Sequence, residues 1–155
     1  MQTSINIDPQ NGHVLFGLLE ITPKTTISDL NSDFSASEEI LVSVLGKKVP
    51  CKFAKSELSN GTINFSLSLR FESENLVSIF ISLSDSSIPM QTQQDFYKSL
   101  QSIKLLNENW LKEQLDESSS SDRRYKWGVV GVAQDKSDNI YIYIHNRNNR
   151  WAVNP

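Results

Sequence analysis

A chain of 155 residues with a formal net charge of −3 has the length of one domain, and burying roughly two-thirds of its unfolded surface gives it a core without covalent staples. A single cysteine, Cys51, excludes an internal disulfide. No stretch approaches the ~20 apolar residues of a membrane span, and the start MQTSINIDPQNG lacks the basic and apolar regions of a signal peptide, so a cytoplasmic location is expected.

In chain order, Ile5 and Ile7 begin a strand closed by Asp8-Pro9-Gln10-Asn11-Gly12, and Val14 to Ile21 returns as its partner. Pro23 stops that strand, and Thr26 to Leu30 reads as a one- or two-turn helix with a threonine cap. The apolar run Ile40 to Leu45 ends at Gly46-Lys47-Lys48. Val49, Cys51 and Phe53 then alternate with Pro50, Lys52 and Ala54. Proline lacks an N–H, so this strand belongs at an edge or carries a bulge. From Thr62 to Phe71 polar and apolar residues alternate without a break, which puts Ile63, Phe65, Leu67, Leu69 and Phe71 on one face and the Ser, Asn and Arg side chains in water. After Glu72-Ser73-Glu74-Asn75 the alternation resumes with Val77, Ile79, Ile81 and Leu83, predicting a hairpin with a polar turn.

A helical segment is expected at about 92–116. Thr92 and Asp95 have capping-box spacing, and Phe96, Leu100 and Ile103 share one helical face. Asn107-Glu108-Asn109 predicts an interruption, with Trp110, Leu111 and Leu115 in a continuation or a second short helix. Residues 116–122, Asp, Glu and serines without an apolar side chain, read as a mobile loop. A Trp-led hairpin follows: Tyr125 to Val132, a turn at Asp135 to Asn139, then Ile140 to His145 with the isoleucines on one face and Tyr141, Tyr143 and His145 on the other. The tail from Asn146 is polar apart from Trp151, Ala152 and Val153. This order predicts one α+β domain: a largely antiparallel β-sheet, one main helical segment and a C-terminal β-hairpin.

No residue type stands at catalytic or metal-ligand spacing. His13 and His145 lie in different hairpins without Cys, Asp or Glu arranged around them, so neither reads as a zinc ligand. There is no P-loop and no GxGxxG. Gly128 and Gly131 sit among β-branched residues and suit a bulge or close packing beneath Trp127. Ser, His and Asp are all present, yet no GxSxG marks an activated serine, and triads are defined by geometry. Cys51, between Val49 and Phe53, reads as a small buried residue rather than a nucleophile. The expectation is a binding protein with no catalytic residue and no cofactor.

Two surfaces are candidates for binding. Residues 1–121 carry 15 acids and 9 bases, whereas residues 122–155 carry 3 acids and 6 bases, so an acidic body meets a basic last hairpin. Tyr141, Tyr143 and Trp127 with Arg147 and Arg150 suit an exposed basic-aromatic face for a protein or a single-stranded nucleic acid. Alternatively, the rings pack against the helix at Phe96 and Trp110. The net negative charge disfavours nucleic acid. The acids Asp29, Asp33, Glu38 and Glu39, and separately Glu108, Glu113, Asp116 and Glu117, either complement a basic partner or form an ordinary solvated surface.

Trp110-Leu111-Lys112-Glu113-Gln114-Leu115, a polar spacer, Tyr125-Lys126-Trp127-Gly128-Val129 and Asp135-Lys136 ahead of an Ile/Tyr strand form one set of motifs. Gly17-Leu18-Leu19-Glu20-Ile21-Thr22-Pro23, followed by Thr25-Thr26 and Leu30, adds to it. Together they resemble the small cytosolic immunity proteins of bacterial polymorphic toxin and contact-dependent growth inhibition systems. The resemblance covers about half of the chain, and its motifs are structural. It implies a stoichiometric inhibitor that binds a cognate toxin C-terminal domain, with no catalytic residue and no membrane partner. Where the toxin is a basic nuclease, an acidic inhibitor can mimic the phosphates that it attracts. Two other readings stand beside it. One is a chaperone or adaptor for a secreted effector. The other is a small enzyme, which would need a deep pocket holding His13 or His145 beside a carboxylate.

Overall fold

The computed structural model describes residues 5–88, 92–116 and 123–153. In chain order the elements are strands β1 (Ile5–Ile7), β2 (Val14–Phe16) and β3 (Leu19–Ile21), a 3₁₀ turn at Ile27–Asp29, and strands β4 (Ser35–Ala36), β5 (Ile40–Val44), β6 (Lys47–Ser59), β7 (Ile63–Glu72) and β8 (Asn75–Asp85). Helix α1 (Gln93–Leu115) follows, then β9 (Arg123–Tyr125), β10 (Gly128–Gln134) and β11 (Ile140–Asn146). The strands β1-β2-β3 make a small sheet. The main sheet has eight strands in the order β4-β6-β7-β8-β11-β10-β9, with β5 pairing the start of β6. Strand pairs among the described residues are antiparallel. The fold is α+β with one main helix and a C-terminal hairpin, β10–β11, as the order of elements predicts. Of the loop expected at 116–122, residues 117–122 lie outside the described residues.

The β7–β8 hairpin turns at Ser73 and Glu74, both with positive φ (48° and 73°), the twist that two-residue hairpin loops require. Its register shifts after Arg70: Arg70 pairs with Ser78, but Phe71 pairs with Leu76, so Val77 is an extra residue in β8. The bulge resets the alternation. Leu76, rather than the expected Val77, joins Ile79, Ile81 and Leu83 in the core cluster. Ser78, Phe80 and Ser82 fall to the opposite, outer face beside Arg70, Ser68 and Ser66.

Pro50 sits where its missing N–H costs no ladder bond. β7 pairs with β6 only as far as Cys51, and β5 covers Lys47 to Cys51 on the other side. The Pro50 carbonyl accepts the turn N–H of Ser73 at 2.9 Å. In an antiparallel strand a residue's N and O face the same side, so the proline nitrogen points past the last residue of β7.

The segment Val14 to Ile21, expected as one strand, folds back on itself at Gly17-Leu18, where Gly17 has φ 62°. Ile5, Ile7, Val14, Phe16 and Ile21 all enter the core beneath the main sheet. Trp127 lies in the turn between β9 and β10 and fastens the β1–β2 loop. Its Nε1 donates to the Pro9 carbonyl at 2.9 Å, and its ring lies so close to Gly12 (φ 74°) that a Cβ there would collide with it. Tyr125 stacks on the same indole with ring centres 4.7 Å apart. Of the alternative that sets Tyr141, Tyr143 and Trp127 against the helix at Phe96 and Trp110, no ring contact forms among the described residues. Trp110 instead meets Phe65 edge-on, and the glycine that admits Trp127 is Gly12.

Helix α1 starts at Thr92, whose side chain accepts the Asp95 N–H at 2.9 Å. It runs unbroken through Asn107, the expected interruption. Asn107 is fully buried. Its Oδ1 accepts the Leu83 N–H at 2.9 Å, and its Nδ2 donates to the carbonyls of Leu83 (3.2 Å) and Ile103 (2.8 Å). β11 pairs with β8 only over Ser78 to Ile81, so the side-chain amide takes the place of a strand residue at Leu83. Two helical turns later Gln114 Oε1 accepts the Ile7 N–H of β1 at 2.8 Å. In the β10–β11 turn, Asp135 accepts the N–H groups of Ser137 and Asn139 and the Asn139 side-chain amide.

Replacing Asn107 with Leu is expected to strand both backbone groups of Leu83 and cost roughly 2–4 kcal/mol. A denaturation midpoint lowered at constant m-value checks this, with exposed Asn109→Ala as the neutral control. The Asn139 side-chain amide, then its backbone N–H, holds the Asp135 carboxyl below the ordinary 3.8. A carboxylate whose folded pKa is depressed favours the folded turn above its unfolded pKa and loses that contribution as pH falls through the folded value. The Asp135 carboxyl carbon should therefore titrate by NMR with a midpoint below 3.8, with the Asn139 amide shift following the same curve. A midpoint at or above the ordinary value would contradict the assignment.

Candidate functional site

The reset alternation assembles one continuous surface on the outer face of the main sheet. Strand registers place Phe53, Arg70, Ser78 and His145 in one row across β6, β7, β8 and β11. The next row holds Lys55, Ser68, Phe80 and Tyr143. Tyr141 follows Tyr143 on the same face, two residues back along β11. A sheet face that alternation assigns to serine and water thus carries a band of rings.

These rings fix one another. Phe80 meets Tyr141 edge-on at 5.7 Å and His145 at 6.0 Å. Tyr143 stacks on His145 at 4.9 Å, and His145 meets Trp151 at 5.0 Å. The Arg70 guanidinium lies 5.1 Å from the Trp151 ring centre and 5.8 Å from that of Phe53. Glu72 ties the edge of the cluster, accepting from Arg70 Nε and from Trp151 Nε1, each at 2.8 Å. Gly131 faces Tyr143 across the β10–β11 pair, and a Cβ there would come within 2.5 Å of the phenol oxygen. The glycine is therefore the clearance that lets Tyr143 lie over β10. Phe53, Phe80, Tyr141, Tyr143, His145 and Trp151 are all half-buried, anchored at the base and open at the rim.

Ser78 Oγ and His145 Nδ1 share a hydrogen bond of 2.7 Å. A serine beside a histidine is half of a nucleophilic pair. Ser78, however, has 0% exposure, so an incoming acyl group has no path to its oxygen. Asn149 Nδ2 donates to the same Oγ at 2.8 Å, while its Oδ1 accepts the N–H groups of Trp151 and Ala152. The trio holds the segment after β11 against the sheet and so sets Trp151 in place. Cys51 lies on the same face, paired with Glu72 in register and fully buried. Burial pushes its thiol pKa up, Arg70 offsets part of that, and Glu72 adds to it.

Of the residues that sequence singles out, Tyr141 and Tyr143 belong to this surface. Arg147 and Arg150 are exposed in the segment following β11. Trp127 stands apart, on the β1–β2 loop. Asp29, Asp33, Glu38 and Glu39 are exposed along the connection from β3 to β5. Asp29 accepts the Thr26 N–H at 2.8 Å, and the Asp33 carbonyl accepts the Ser56 hydroxyl at 2.8 Å. Glu39 alone of these acids lines a cavity of about 440 Å³ with Ile27, Ser28, Pro50, Lys52 and Glu74. Asp116 is on a different element, capping α1 in a left-handed conformation with its N–H on the carbonyls of Lys112 and Glu113. Glu117 lies outside the described residues. His13 pairs with Glu20 at 2.9 Å on the open surface, and neither histidine lines the cavity beside Glu39.

Sequence reasoning misses Phe53, Arg70, Phe80 and Trp151. The parity of β7 already points Arg70 outward, and Phe80 shares the parity of Ser82, but nothing in one strand shows that its neighbours put rings in the same rows. Among the described residues no group of three His, Cys, Asp or Glu is arranged to hold a metal. No helix there is long and apolar enough to cross a membrane.

The raised pKa and full burial of Cys51 predict a native thiol that is inert to Ellman's reagent at neutral pH and reacts only when the sheet is unfolded. Rapid native labelling would contradict the packing of the Arg70–Glu72 canopy.

Comparison with known proteins finds no match to a family model, to a curated protein or to a solved structure.

Proposed function

We propose that this chain is an immunity-type protein that neutralises a cognate toxin domain by one-to-one binding through the outer face of its main sheet. The observation that carries the reading is the band of Tyr141, Tyr143, Phe80, His145, Trp151 and Arg70. Tyr, Trp and Arg are the residues that most often dominate binding energy at protein interfaces. Rings on strands, locked by edge contacts, lose little rotamer freedom on docking, and that loss is a main cost of association. The exposed acids Asp29, Asp33, Glu38 and Glu39 would speed encounter with a basic toxin such as a nuclease. The sequence resemblance supplies the class of partner, and the surface supplies a means of binding it.

Co-expression with the toxin-like domain of the neighbouring open reading frame should rescue growth and yield a one-to-one complex. A chaperone or adaptor would instead hold an unfolded segment. Tyr141→Ala with Tyr143→Ala should raise the Kd about a hundredfold, from more than 1 kcal/mol at each position, with the circular dichroism spectrum of the folded chain retained at the assay temperature although the lost ring contacts lower the melting temperature. Failure both to bind and to protect would sink the proposal.

A further inference from the structure

Strand β5 reads Ile-Leu-Val-Ser-Val, with neither a charge nor a proline. Among the described residues it pairs only with β6, so one row of its N–H and C=O groups faces outward. Ile40 is 51% exposed, Leu41 67%, and Leu45 in the following turn 57%. Proteins that remain single guard such an edge with a charge, a proline, a bulge or a covering segment. Here the charges stand only at the two ends: Glu38 and Glu39 precede the strand, and Lys47 and Lys48 lie across from Val44 and Ser43 on β6.

That pattern of acids, apolar residues and lysines complements its own reverse. We propose that β5 pairs antiparallel with β5 of a second copy about a two-fold axis at Val42, making one sheet continuous across two molecules. Ile40 then faces the partner's Val44, and Leu41 faces the partner's Ser43. Glu38 and Glu39 run on past the strand toward the turn that carries the partner's Lys47 and the partner's Lys48. The same contacts repeat by symmetry at the other end. A parallel, in-register pairing would set the glutamates against their own copies, and like charges directly opposite are destabilising. The charge order therefore selects the antiparallel two-fold arrangement. The toxin-binding reading places its contacts on the outer face and shares only the charges of Glu38 and Glu39 with this edge, so the dimer is tested on the chain alone.

Light scattering during size exclusion of the full chain should show mass rising with concentration toward twice 17.6 kDa. Leu41→Lys, at an exposed position, should raise the dimer dissociation constant at least about tenfold with the folded circular dichroism spectrum retained. Glu38→Lys with Glu39→Lys should weaken the dimer, as should Lys47→Glu with Lys48→Glu. All four changes together should restore it, a rescue that simple loss of structure cannot produce. The charge variants decide the matter if Leu41→Lys fails to fold. A wild type that stays monomeric to its solubility limit, or a dimer indifferent to the charge exchange, overturns the proposal. So does a Leu41→Lys chain that loses toxin binding while the wild type alone is a monomer, since the edge then belongs to the toxin.

Discussion

Leu83 is where the main sheet runs out of partners on one side, and the way its backbone is satisfied governs how the rest is assembled. Beyond Ile81, β11 no longer pairs with β8. A buried peptide group left there without hydrogen bonds would cost more than most side-chain contacts contribute. The Asn107 amide supplies both missing bonds from the middle of α1. Gln114, seven residues on and hence on the same helical face, does the equivalent for Ile7 in the small sheet. Two carboxamides therefore fix the helix by register as well as by apolar contact, and Leu111 and Leu115 are buried between and beyond them. The hydrophobic effect is non-directional and favours covering the sheet in any orientation. The amides select one.

With the helix and the small sheet on the inner side, the outer side is free to diverge from the usual wet face of an antiparallel sheet. The extra residue Val77 makes that divergence possible. It gives β8 Leu76 for the core at one end and Phe80 for the outer face further along. Arg70 and Glu72 then bridge from β7 to Trp151, and the Ser78–His145–Asn149 trio, with Ser78 and Asn149 buried, secures the backbone that presents Trp151. A polar network beneath a half-exposed aromatic band gives a surface that is both apolar and held in place.

How much of this is legible in the chain follows from the range of each signal. Alternation from Thr62 to Phe71 is local and unbroken, and it assigns Ile63, Phe65, Leu67, Leu69 and Phe71 to one face of β7 correctly, although Arg70 on the other face is half-buried and not in water. The helix is legible from Thr92 and from the Phe96 spacing. Its continuity through Asn107 is not, because helix propensity ranks asparagine among the weaker formers and cannot see the strand edge that this asparagine serves. Gly17 is permissive enough to sit within a strand pattern, so the split between β2 and β3 is invisible until both halves pack. Tyr141 and Tyr143 are legible as a pair because they share one strand. Phe80 and Arg70 join them only through registers among strands far apart in sequence, where alternation fixes faces but not neighbours, and Trp151 joins through the docking of the segment after β11. Trp127 shows the same limit in reverse: it is conspicuous in the chain, but its partners, Pro9 and Gly12, lie 118 and 115 positions away.

That last distance bears on how the molecule is made. β1 and β2 leave the ribosome well before α1 and the β9–β10 turn, yet Gln114 satisfies Ile7 and Trp127 closes over Gly12. The small sheet can make neither contact until the chain has been made through Trp127. Contacts of such high sequence separation slow folding, because the intervening loop must close before they form. Closure of Trp127 over Gly12 requires both ends of that span, and the indole gives it a built-in optical signal.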